Sequence, residues 1–138
     1  MNIDRLRHLT RVLRAVDAME RPFDMTAWTK GTSCDSAACA GGWAARDETF
    51  NLIGLHLLNG APAYRIHETA SNKPVCYTGW TALLEFFDLC ADDAHHIFDP
   101  YFYDYLPHSM FDISPQRVID RIEKLIQTNQ ENARLDSI

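Results

Sequence analysis

From Asn2 onward, Ile3, Leu6, Leu9, Val12, Leu13, Val16 and Met19 fall mostly on one side of a 3.6-residue wheel. Arg7, Arg11 and Arg14 cluster on the other side, three or four residues apart. This spacing predicts a first helix whose arginine face either meets water or meets an acidic partner. Pro22 stops it, because a proline ring disfavours helical geometry in the residue before it. Residues 23–33 read as a loop in which Phe23, Met25 and Trp28 are buried anchors. A second helix is expected from Asp35 or Ser36, both good N-caps, to about Arg46. It is thin, since Ala37, Ala38, Ala40, Gly41, Gly42, Ala44 and Ala45 leave only Cys39 and Trp43 with larger apolar side chains. Each glycine costs roughly 1 kcal/mol against alanine inside a helix, so close approach of a neighbouring backbone should offset it. The helix is therefore expected at the centre of the domain.

Residues 54–67 change rhythm to an alternation of two and predict a β-hairpin. With Asn59-Gly60-Ala61-Pro62 as a four-residue loop, Leu58 would face Ala63, Leu57 would face Tyr64, and Leu55 would face Ile66. Leu55, Leu57, Tyr64 and Ile66 then share one face, with His56 and Arg65 on the other. A lone hairpin is marginal in water, so its apolar face should lie on the helices. After a polar link, Glu68 to Pro74, a helix is expected from about Trp80, and a short one from Ala91 to Phe98. Asp99-Pro100 offers an N-cap and a first-turn proline for a turn or two over 100–106, and Ser114-Pro115 repeats that signal for the last helix. Val118, Ile119, Ile122, Leu125 and Ile126 form its inward stripe. The stripe ends there, and the tail from about 130 is expected to fray.

The expected architecture is a mainly α single compact domain of about five helices, spanning 1–138, with one small β-hairpin. Its length of 138 residues suits one domain, and 46% apolar residues suffice for a core without staples. No apolar run approaches the roughly 18 residues of a membrane span. The first residues mix charges with aliphatics and do not resemble a signal peptide, so a cytoplasmic location is expected. The net charge of −6 is concentrated: residues 70–112 hold Lys73 as their one cation against Glu85, Asp88, Asp92, Asp93, Asp99, Asp104 and Asp112. A phosphate backbone rewards clustered Lys and Arg, so nucleic acid is not an expected partner, and neither is a membrane.

The run Phe23-x-Met25-x-x-Trp28, then Cys34 and Cys39 five residues apart, then Gly42-Trp43-Ala44, resembles a set of small uncharacterised proteins of bacteria and their phages. The Asn59-Gly60, Pro62 and Tyr64-Arg65 hairpin and the Phe86-Phe87-Asp88-Leu89 helix end are similar too, so the resemblance spans roughly residues 23–98. In that set the first cysteine is usually followed by glycine and threonine, where this chain has Asp35-Ser36. The resemblance implies a fold and a bacterial or phage origin, and no activity.

The cysteines at 34, 39, 76 and 90 do not form the paired knuckles of structural zinc, and no disulfide framework is expected in a cytoplasm. A nucleophilic thiol is the sharper possibility. Cys34 lies just before a predicted helix start, where unsatisfied N–H groups lower a thiol pKa, and Cys39 precedes Gly41-Gly42-Trp43. Either needs a base within reach, for which His56 and His67 on the hairpin, or His95 and His96, are candidates. Core packing is the plainer account of Cys39, at i and i+4 with Trp43. Neither His95 nor His96 belongs to a known ligand motif, and no metal or cofactor is expected.

Residues 98–105 pack five aromatics into eight positions: Phe98, Tyr101, Phe102, Tyr103 and Tyr105. Rings with polar tips beside Asp99 and Asp104 are what protein interfaces concentrate, so Tyr101, Tyr103, Asp104 and Tyr105 are the candidate partner surface. The expectation is a small non-enzymatic protein-interaction or regulatory module of a bacterium or phage. The alternative is a cysteine-dependent hydrolase or transferase with Cys34 as nucleophile. Oligomeric state is not legible.

Overall fold

The computed structural model describes residues 1–30, 36–67, 74–103 and 113–136. The elements run α1 (Ile3–Ala18), α2 (Ala40–Arg46), α3 (Glu48–Leu52), β1 (Leu55–Leu58), β2 (Ala61–His67), β3 (Pro74–Thr78), α4 (Gly79–Phe87), α5 (Ala91–Phe98), a 3-10 turn (Pro100–Phe102) and α6 (Pro115–Asp136). The mainly helical class stands, but the small β element is a three-stranded antiparallel sheet of order β1-β2-β3 instead of a hairpin.

Helix α1 starts where Asn2 Oδ1 accepts the Arg5 N–H (3.1 Å), and it buries Leu6, Leu9, Leu13 and Val16 as its periodicity requires. Each such side chain contributes about 1.5–3 kcal/mol of hydrophobic burial. Arg7, Arg11 and Arg14 are exposed. Helices α1, α4, α5 and α6 and the Phe50 ring of α3 enclose the main core. Phe86 and Phe87 meet Phe50 edge to face at 4.9 and 5.7 Å.

Helix α2 begins at Ala40, later than Asp35 or Ser36 would have placed it. The backbone just before it is bonded elsewhere: Ala37 O and Ala38 O accept from Lys30 N (2.8 Å) and Asp24 N (3.0 Å), and Cys39 N donates to Ala27 O (2.9 Å). Residues 37–39 thus lie against the 23–30 loop, and only from Cys39, the N-cap, is the chain free to coil. Ala40 to Ala45 are all buried, which makes α2 the central helix its small residues predicted. A β-carbon on Gly41 would come within 2.9 Å of the Trp28 ring.

In the sheet, Leu55 pairs with Tyr64, His56 with Ala63, Leu57 with Pro62, and Leu58 with Ala61. The loop is therefore two residues, Asn59 (φ 53°) and Gly60 (φ 80°), rather than four. Positive φ at both central positions is the turn that twists with the strands, and Asn-Gly is its preferred sequence. Pro62 had argued for the longer loop, yet it fits inside β2. The Arg65 N–H donates to Gly54 O (3.0 Å), a parity that turns the Pro62 nitrogen away from β1. On the other side β3 pairing ends at Ala63 with Thr78, so the missing N–H removes no ladder bond. Because the register differs from expectation by two residues, the faces are unchanged, and Tyr64 packs on Phe86 at 5.0 Å. Strand β3 occupies part of the segment expected to lead directly into α4.

Helix α5 covers the expected residues, with Asp92 and Asp93 in its first turn complementing the helix dipole and His95 and His96 in its last turn. Helix α6 continues to Asp136, beyond the expected fraying point. From Gln127 to Asp136 every side chain is exposed, so helical bonding and i,i+4 contacts such as Gln127 to Glu131 (3.2 Å) carry this part.

Candidate functional site

The 23–30 loop, the start of α4 and the end of α5 meet around a cleft of about 340 Å³. Met25, Trp28 and Cys39 line it together with Trp80, Phe98, Asp99 and Tyr101. Trp28 is placed by the backbone bonds that hold its loop to residues 37–39. Trp80 comes from the first turn of α4, and Tyr101 from the 3-10 turn that Pro100 begins. The two indoles meet edge to face, with centroids 5.1 Å apart and planes at 65°. Behind Trp80 the aromatic series continues through His95 (4.8 Å) to Phe102, which stacks on that imidazole at 5.4 Å.

Asp99 is held from two sides. Its Oδ1 accepts the Tyr101 N–H (3.0 Å), capping the 3-10 turn. Its Oδ2 lies 3.0 Å from His95 Nδ1. A carboxylate only accepts, so this nitrogen carries the proton and donates. Deeper in the loop, burial raises the pKa of Asp24, but bonds from Lys30 and Thr26 outweigh it and hold the carboxyl below its ordinary value.

Cys39 forms part of the cleft floor but is 2% exposed. Its thiol receives the backbone N–H groups of Gly42 and Gly41, yet burial dominates and pushes it up to about 11. A nucleophile needs the opposite shift and a neighbouring base. His56, the proposed base, sits on β1 with Nδ1 3.1 Å from Gly54 O and lines a different hollow, beside Asn51 and Arg65. The structure therefore does not bring Cys39 and His56 into one site. Cys34 lies outside the described residues, as does the side chain of His67, whose backbone closes β2. Cys76 and Cys90 are exposed.

Of the candidate partner surface, Tyr101 is 72% exposed and stands at the cleft. Tyr103 is not part of any surface: it is 3% exposed, and its hydroxyl donates to Ile97 O (2.5 Å). That bond satisfies a carbonyl in the last turn of α5, which explains why the ring turns inward. Arg121 covers it at 3.7 Å. Asp104 and Tyr105 lie outside the described residues. Trp28, Trp80 and the His95–Asp99 pair escaped the sequence as a site. The i,i+4 spacing of His95 and Asp99 was a usable signal; the meeting of the two tryptophans had none.

Among the described residues, no group of three or more His, Cys, Asp or Glu side chains is arranged to hold a metal ion. None of the described helices is long and apolar enough to cross a membrane. No protein-family model matches the chain, and comparison with curated proteins and with solved structures finds no match.

Proposed function

We propose that the protein is a non-enzymatic interaction module, of bacterial or phage origin, that docks a partner protein at the cleft between Trp28, Trp80 and Tyr101. The observation that carries this is the pairing of a highly exposed tyrosine with two half-buried indoles around a concave surface. Aromatic side chains in partly desolvated hollows supply most of the energy of protein recognition. The floor of the same cleft supports binding over chemistry, because its thiol is buried and protonated near neutral pH.

Selection of displayed random peptides on the purified protein tests this reading. Selected peptides should lose at least about tenfold in affinity on Tyr101→Ala, with thermal stability unchanged, as expected for a hot-spot ring. Peptides indifferent to that substitution would move the partner surface elsewhere. Rapid alkylation of Cys34 or Cys39 by iodoacetamide with a midpoint well below 8.5 would instead favour the cysteine-dependent enzyme.

A further inference from the structure

We propose that the occupant of the cleft is a cationic side chain, lysine, methylated lysine or arginine, presented by a basic segment of a partner protein. This rests on the cleft being the docking site. Both indoles line the cleft and meet edge to face, with centroids 5.1 Å apart and planes at 65°, and Tyr101 lines it beside them. An indole attracts a cation that comes over its free face within about 6 Å of the ring centroid. Asp99 is the charged residue that lines the cleft, and bonds from Tyr101 and His95 fix where its carboxylate stands.

Elsewhere the fold fills comparable positions with its own cations. Arg21 and Arg46 lie 4.8 and 4.7 Å from the Trp43 ring centroid, and Arg5 lies 4.4 Å from that of Phe86. Three other hollows are each lined by arginine: Arg7, Arg11 and Arg14 in one, Arg21 and Arg46 in another, Arg65 in a third. Among the described residues, Trp28 and Trp80 have no guanidinium or ammonium over them; the His95 imidazole packs on Trp80 and bonds Asp99, and the cleft lining holds that carboxylate and no lysine or arginine. Its surroundings share that sign, since α5 carries Asp92 and Asp93 and the 70–112 stretch holds a single lysine. Charge complementarity thus favours a basic partner segment, and the acidic field would speed its arrival.

The test is a titration followed by NMR on the indole N–H signals of Trp28 and Trp80, with Trp43 as internal reference. The probes are the acetylated amides of lysine, trimethyllysine and arginine, a neutral isostere of trimethyllysine with carbon in place of the ammonium nitrogen, and tetramethylammonium. At least one cationic amino-acid amide should shift Trp28 and Trp80 but not Trp43, with the neutral isostere roughly tenfold weaker. Asp99→Asn, which keeps the turn's cap acceptor, should weaken the cationic probes and leave the isostere unchanged. Equal binding of cation and isostere overturns the inference while the docking cleft survives. Tetramethylammonium binding as tightly as the amides overturns the protein-borne source. If no cationic probe shifts Trp28 and Trp80, the cationic occupant is wrong, and the Tyr101-dependent peptide selection then separately decides whether the cleft docks anything.

Discussion

A β-carbon added to Gly42 would stand 1.8 Å from the carbonyl oxygen of Trp28. The obstacle is backbone, so no side-chain rotation relieves it. The loop that builds one wall of the cleft and the central helix α2 are thereby fitted to each other through a missing side chain.

Gly42→Ala should consequently destabilise the protein by about 3 kcal/mol or more, despite the better helix propensity of alanine. Gly79 is the comparison. It has φ +61° but nothing within 4 Å of a new β-carbon, so Gly79→Ala should cost only its backbone strain, about 1–2 kcal/mol. Urea denaturation of both variants checks the order; equal losses would show that the loop yields.

Cys39 should remain unalkylated in the native protein up to pH 9, while Cys76 and Cys90 react. The same thiol makes stability depend on pH. Its native pKa of about 11 lies above the ordinary value of 9.0, so above that lower value the unfolded chain gives up a proton that the native state keeps. Stability from this source is whole below pH 9 and declines as pH rises towards 11, by on the order of 2 kcal/mol. Cys39→Ala should flatten that part of the profile of folding stability against pH.

Tyr103→Phe removes the donor from the Ile97 carbonyl and leaves that acceptor without the phenol. A loss of about 1–2 kcal/mol is expected by thermal or urea unfolding, with ring packing kept. Tyr103→Ala should cost about 3–5 kcal/mol, because the buried ring goes as well. Tyr101→Ala, two residues away on the exposed side of the same turn, should leave stability within about 0.5 kcal/mol.

Asp47 serves two elements at once. Its Oδ2 accepts the Phe50 N–H (3.1 Å) to start α3, and lies 2.7 Å from His8 Nε2 on α1. Asp47→Ala should cost about 1–2 kcal/mol, whereas Asp47→Asn keeps a cap acceptor and should recover part of it. Equal loss in both would place the effect in the contact with His8.

Periodicity made α1, α5 and the inward stripe of α6 legible, because each repeats one rule over several turns. The small residues of α2 correctly announced a close backbone, though nothing in Gly41-Gly42 says that the approaching chain is Trp28. Its starting point was hidden for a related reason: the bonds from residues 37–39 to the 23–30 loop are long-range. The hairpin faces were readable and its register was not, since Pro62 imitates a loop residue until β3 is known to stop at Thr78. Strand β3 itself, five residues beside a polar link, was too short to stand out before its partner was placed. Of the site, exposed Tyr101 was anticipated and buried Tyr103 was not, the difference being one carbonyl at the end of α5. The cleft gathers side chains from three distant segments, and no local pattern predicts that meeting.

The Trp28 ring both abuts Gly41 of α2 and lines the cleft, so the two duties cannot be varied independently. Sequence drift at this wall would be screened first for folding and only afterwards for recognition. On the docking reading proposed above, new binding preferences would therefore arise at Tyr101 and its exposed neighbours, where a changed side chain leaves the framework standing.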